Sequence, residues 1–147
     1  MTSLNCAVLT VSDTRTLADD TSGDFLVESI AAAGHHNAAR ELVTDDIYQI
    51  RAKLSYWIAD PDINVIITTG GTGFTGRDST PEAASVLFDK EIGGFGELFR
   101  QISYADIGTS TIQSRATAGV ADGTYLFALP GSPGACKDAW DEILVHQ

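Results

Sequence analysis

Six aspartates stand close behind short apolar runs of this chain: Asp13, Asp19, Asp20, Asp45, Asp46 and Asp78. Taken singly, each suits a helix cap or a solvated loop. Gathered near phosphates, carboxylates can instead hold Mg²⁺, which takes one or two of them plus phosphate oxygens. They can also accept a proton from a phosphate or hydroxyl nucleophile. Asp78 is the most informative of the six. It sits beside Arg77, at the end of a glycine-rich stretch and just ahead of Ser79-Thr80-Pro81-Glu82. That tetrad reads as a capping box with Pro tolerated in the first turn, so a helix should begin there.

The glycine-rich stretch itself, Gly71 to Gly76, reads G-T-G-F-T-G and satisfies GxGxxG. It is not a dinucleotide fingerprint. It follows the third strand pattern, not the first, and no acid at a strand end follows about 20 residues on. No Gly-Lys-Ser/Thr follows either, which excludes a Walker A loop. Glycines at a strand end do let backbone N–H groups turn inward around an anion, next to the positive end of the following helix. Phosphate binding is the chemistry this pattern offers. A tight turn that merely needs glycine is the bland alternative.

Strands and helices must position these loops. Cys6 to Val11 is a β-branched apolar run of the kind a central parallel strand shows. Phe25, Leu26, Ile30 and Ala33 recur at helical spacing, and Gly34 stops that helix. A weaker strand runs from about Ala38 to Val43. Asp45 or Asp46 then caps a helix with Ile47, Ile50, Leu54, Trp57 and Ile58 on one face. Asn64 to Thr69 is the strongest strand pattern. Ile92 to Ser114 is less regular, and Tyr125 to Leu129 is a further buried strand. A last helix carries Cys136, Ala139, Trp140, Ile143 and Leu144. Alternating strands and helices predict an α/β fold with a mostly parallel sheet and helices on both faces. With no repeat and no linker, residues 1–147 form a single domain on this reading. Ligands of such sheets bind beyond the carboxyl ends of the strands. That points to Ser12–Gly23, Thr44–Asp46, Gly70–Thr80 and Pro130–Gly134.

Composition narrows the function. The 147 residues are 44% apolar and 20% charged, as in a globular chain. Twenty acids against nine bases give a net charge of −11, with the bases spread singly, so a nucleic-acid surface is not expected. No apolar run approaches a membrane span, and no signal peptide is visible. Cys6 and Cys136 lack metal or redox spacing and read as buried thiols of a reducing compartment, by default the cytoplasm. His35, His36 and His146 lie off the expected ligand face. Trp57 and Trp140 read as core. Phe95, Phe99 and Tyr104 read as core or as a subunit contact.

Several segments, in this order and spacing, resemble one family. They are Val11-Ser12-Asp13, Asp20-Thr21-Ser22-Gly23, Thr69-Gly70-Gly71-Thr72-Gly73, Arg77-Asp78-Ser79-Thr80-Pro81-Glu82-Ala83, Gly94-Phe95-Gly96-Glu97-Leu98-Phe99-Arg100, Ser114-Arg115-Ala116 and Leu129-Pro130-Gly131-Ser132-Pro133. Together they are similar to the molybdopterin-binding MoaB/Mog family of molybdenum cofactor biosynthesis, over nearly the whole chain. The resemblance implies a three-layer αβα domain assembled as a trimer or hexamer. It implies an adenylyltransferase that binds Mg-ATP and molybdopterin, moves AMP onto the pterin's terminal phosphate and releases pyrophosphate.

Residue by residue, the resemblance makes Asp78 and Asp45 catalytic and adds Asp20 as a third acid, the three together holding Mg²⁺. Gly70, Gly71, Thr72 and Gly73 match the loop that holds pterin and phosphates. Ser12 and Asp13 lie at the neighbouring strand end, with Asp20, Ser22 and Gly23 beside them. Ser114 matches a serine near the substrate, and Pro130, Gly131, Ser132 and Pro133 the other wall. A second reading keeps the pterin pocket without turnover, as a binding or carrier protein of the same pathway. A third makes the chain a structural oligomer module.

Overall fold

The computed structural model describes residues 2–147. Six strands form one sheet: β1 (Asn5–Val11), β2 (His36–Val43), β3 (Val65–Thr69), β4 (Lys90–Glu91), β5 (Thr117–Ala121) and β6 (Thr124–Leu129), in the order β2-β1-β3-β6-β5-β4. The first four of that order run parallel, and β5 and β4 add an antiparallel edge. The expected α/β architecture with a mostly parallel sheet is what the chain adopts.

Both faces of β1 and β3 are apolar, which is why these strands read as near-continuous hydrophobic runs. Cys6, Val8 and Ile67 face one layer, with α1 (Thr21–Ala32), α4 (Gly93–Ile107) and α5 (Pro133–Glu142) packed on them. Ala7, Leu9 and Ile66 face the other, under α2 (Ile47–Ile58) and α3 (Thr80–Ser85). Trp57 and Trp140 are buried in these two cores, as expected. Both cysteines are buried and unbridged.

Two elements differ from the sequence expectation. The irregular stretch is in fact the 15-residue helix α4, followed by a 3-10 segment, Gly108–Gln113. Three glycines in its first four positions give a poor intrinsic helix start. Tertiary packing supplies what propensity lacks: Phe95 stacks on Phe99 and meets Phe127 edge-on. Gly96 is required for this packing, because a Cβ there would lie 2.8 Å from the Ala116 carbonyl oxygen. The second element is β5, joined to β6 by Asp122-Gly123, both with positive φ (48° and 80°). That dipeptide is the type I′ hairpin signal, and it was available in the sequence.

The capping box expected at Ser79 and Glu82 does not form. Ser79 is the N-cap of α3 but makes no capping bond, and its hydroxyl donates to Asp45 instead. Glu82 is drawn away into an ion pair with Arg115.

Candidate active site

The ends of β1, β2, β3 and β6 come together where the strand order reverses around β1 and β3. A cleft of about 670 Å³ opens there. Gly70 to Gly73, Asp78, Ser114, Pro130, Gly131 and Ser132 all line it. Residues from three distant segments of the chain are thus brought to one place.

The glycine-rich loop is shaped by its neighbours. Gly70 (φ 103°) and Gly71 (φ 70°) hold left-handed backbone. A Cβ at Gly70 would strike the Val11 carbonyl oxygen, and one at Gly71 the Thr80 hydroxyl. Thr80 ties the loop down from α3: its N–H donates to the Gly71 carbonyl at 3.0 Å and its hydroxyl to the Gly70 carbonyl at 2.9 Å. Among the described residues, the N–H groups of Gly71, Thr72 and Gly73 find no protein acceptor. Three successive amides without a protein acceptor, on residues that line the cleft, leave donors available to an anion.

The opposite wall is braced from behind. Thr69 Oγ1 donates to the Pro130 carbonyl at 2.9 Å, and Ser22 Oγ to the Gly131 carbonyl at 2.8 Å. Two oxygens that would repel an anion are thereby occupied. Ser132 is the N-cap of α5, accepting from the Ala135 N–H, with Pro133 in the first turn. The Ser114 hydroxyl is buried with no partner, in the wall of the cleft. An unpaired buried hydroxyl costs about 1–3 kcal/mol, which a ligand group could recover.

The acids separate into distinct roles. Asp46, not Asp45, caps α2, accepting from the Tyr48 and Gln49 N–H groups. Asp45 is released from capping. It is buried and is not among the residues that line the cleft, and its Oδ1 accepts from the Ser79 N–H and hydroxyl, each at 3.3 Å. Burial raises its pKa, and the Asp78 and Asp13 carboxylates add to the rise. Asp78 Oδ2 accepts from the Thr75 N–H at 3.0 Å and its hydroxyl at 2.7 Å. Asp13 is held by Arg77 in a two-pronged pair at 2.9 and 3.0 Å, and it accepts from the Asp45 N–H. The Arg77 guanidinium lowers its pKa. Ser12 is spent on a turn, accepting from the Thr14 and Arg15 N–H groups.

Asp20 corrects an expectation. It is fully buried and engaged by the Gly23 N–H, the Thr10 hydroxyl and the Arg40 guanidinium. It serves as the N-cap of α1 and as a charge partner, with Gly23 packed so tightly that a Cβ would meet the Asp20 carboxylate. Among the described residues no three acids, histidines or cysteines converge as a metal set. The trio of Asp20, Asp45 and Asp78 is therefore not assembled. Asp78 lines the cleft and Asp45 does not; what links the two is the Asp78 charge, which adds to the raised pKa of Asp45. If Asp20 is structural, Asp20→Ala should lower stability by about 2–3 kcal/mol through the lost cap and the stranded arginine. Urea unfolding checks this. A variant of unchanged stability but altered Mg²⁺ dependence would return Asp20 to the metal.

The sequence reading missed the cleft's third side. Ser103, Asp106 and Ser110 line it from α4 and the 3-10 segment, and Lys137 and Asp138 from α5. Only the fold brings α4 against α5. A hydrogen bond to Asp106, with burial and the charges of Asp106 and Glu142, raises the Asp138 pKa from 3.8 to about 6, while Lys137 opposes the rise. A raised pKa means that the folded state holds the proton more tightly than the unfolded chain. This contact is fully present below the ordinary carboxylate value and is lost as pH rises through about 6. The parent should therefore gain more stability than Asp138→Asn between pH 7.5 and 5, in parallel melts. Identical pH profiles would refute the shared proton.

Residues 7–147 match the family model described as "Probable molybdopterin binding domain". The chain belongs to this molybdopterin-binding family of molybdenum cofactor biosynthesis. It is 52% identical over 141 residues to molybdenum cofactor biosynthesis protein B of Escherichia coli (strain K12), across 96% of this chain and 83% of that protein. A crystal structure of molybdenum cofactor biosynthesis protein B superposes with a TM-score of 0.95 at 44% identity, covering 99% of this chain and 91% of that one. The tungsten cofactor synthesizing protein MoaB of Pyrococcus furiosus superposes at 0.86 with 38% identity, over 96% and 90% of the two chains. Among the described residues no helix of this family member is long and apolar enough to cross a membrane.

Proposed function

We propose that this chain is a Mg-ATP-dependent molybdopterin adenylyltransferase. A terminal phosphate oxygen of molybdopterin attacks the α-phosphorus of ATP. The bond from that phosphorus to the pyrophosphate oxygen breaks, giving adenylyl-molybdopterin and pyrophosphate. The observation that carries the reading is the meeting of the free Gly71–Gly73 amides with Asp78 in one cleft.

Nucleotidyl transfer asks mainly for two phosphates held in line and for neutralised charge. The Gly71–Gly73 amides hold anionic oxygens, and the Ser114 hydroxyl offers one more donor. Asp45 and Asp78 keep Oδ2 and Oδ1, respectively, without hydrogen-bond partners among the described residues. These two carboxylates would hold Mg²⁺, which when bound neutralises the polyphosphate. The raised pKa of Asp45 comes mainly from burial, with the Asp78 charge adding to it, and a cation would relieve that added charge. It also reconciles a chain of net charge −11 with a polyanionic substrate.

Pyrophosphate release from molybdopterin plus Mg-ATP tests the proposal. Tight pterin binding without pyrophosphate would leave a carrier protein, and no pterin binding would remove both readings. The assembly proposed is a homo-oligomer, trimer or hexamer. It is supported by the exposed apolar residues Leu98, Tyr104 and Ile107 on α4. Light scattering showing a monomer at micromolar concentration would overturn it. The two unbridged cysteines support a cytoplasmic location.

A further inference from the structure

We propose that Arg115 is the positioning residue of this site, fixing the loop that carries Asp78 in its working geometry. The inference rests on the adenylyl-transfer reading for its effect on rate, but not for the hold itself.

Arg115 lies between the 3-10 segment and β5, far in sequence from the glycine-rich loop. Its Nε donates to the Gly73 carbonyl at 2.8 Å, and its Nη2 to the Asp78 carbonyl at 3.0 Å. Its Nη1 pairs with Glu82 of α3. Phe74, on the loop between the two carbonyls, places its ring 5.4 Å from the guanidinium carbon. One planar fork thus grips both ends of residues 73–78 and one ring between them.

The loop's own bonds do not anchor it. Asp78 and Thr75 bond to each other three times, through the Asp78 N–H and carboxylate. Those contacts stiffen the turn but let it swing as a unit. Anchoring must come from outside: the exposed Arg77 side chain pairs with Asp13, and Arg115 holds the loop backbone at both ends. The peptide unit joining Asp78 to Ser79 shows how. Its carbonyl accepts from Arg115, and its N–H donates to Asp45 Oδ1. In a trans peptide these two groups point opposite ways. Arg115 and Asp45 therefore hold the same plane from opposite sides, and the geometry of Asp78 relative to Asp45 depends on both. Lysine cannot reproduce this, since one ammonium lacks the planar fork of an arginine.

Arg115→Gln and Arg115→Lys test the proposal, each with two readouts. In AMP transfer to molybdopterin, Arg115→Gln should lower kcat by about 30-fold with KM for Mg-ATP within about threefold, since a small misplacement harms chemistry more than binding. Arg115→Lys should recover part of that loss. In amide hydrogen exchange of the unliganded protein, residues 73–79 should exchange at least about tenfold faster in Arg115→Gln while β3 and β6 do not change. Unchanged exchange in the loop, or acceleration spread evenly over the sheet, would overturn the proposal. So would a fall in KM-normalised rate that comes only from weaker nucleotide binding. If the parent itself releases no pyrophosphate, the activity reading fails on its own, and loop exchange still decides whether Arg115 holds the loop. If Arg115→Gln does not fold, Arg115→Lys carries both readouts.

Discussion

Asp78→Asn should lower AMP transfer to molybdopterin by about a hundredfold or more, equivalent to about 2.7 kcal/mol of activation free energy. The substitution keeps an oxygen able to accept from Thr75, so the loop turn survives. What it removes is the charge that faces the cleft beside the free amides. Isothermal titration with Mg-ATP separates the consequences. Mg²⁺-dependent ATP binding by the parent, altered in the variant, places the nucleotide at the glycine-rich loop. Asp46→Asn is the matched control, because Asp46 only caps α2 and asparagine caps equally well, so neither rate nor stability should change appreciably. Parental turnover in Asp78→Asn would withdraw its catalytic assignment.

Gly70→Ala should cost about 3 kcal/mol or more of folding stability, from positive-φ strain and a clash with fixed backbone. The position has φ 103°, and the new methyl would meet the carbonyl oxygen of Val11 at the end of β1. Neither partner can move cheaply. Gly70 donates its N–H to the Leu129 carbonyl at 3.0 Å, and Val11 is in register with Val43 in β2. For a chain of this length the melting temperature should fall by roughly 10 °C. Urea unfolding checks the magnitude, with an unchanged slope showing that the denatured state is unaffected. A loss below about 1 kcal/mol would show that the loop relaxes freely, and would contradict the packing argued from β1.

Local chemistry made much of this protein legible in the sequence. Cys6 to Val11 and Asn64 to Thr69 had to be central strands, because only a strand covered on both faces tolerates such continuous apolar runs. The glycines after β3 announced backbone that other residues cannot adopt, and Asp78 behind them stood out as an acid of the same loop, which the fold places in the cleft. Periodicity placed Trp57 and Trp140 in the core. The family resemblance rested on loop segments, and loops at strand ends are where this architecture binds ligands.

Tertiary structure decided the rest. Two adjacent aspartates look alike in sequence, yet Asp46 caps α2 and Asp45 turns to Ser79, 34 residues away. Asp20 resembles a metal ligand in sequence, yet in the fold Arg40 and Thr10 close over it. Glycines concealed α4, whose stability comes from aromatic packing and not from propensity. Asp106 and Asp138 meet only because α4 lies against α5. Arg115 stands in one of the segments that carry the resemblance, but its role had no local signal, since two of its partners are backbone carbonyls about 40 residues upstream. The division has one physical cause. Strand and helix patterns are written within a few residues, whereas the ionisation and aim of a side chain depend on groups that only folding brings near.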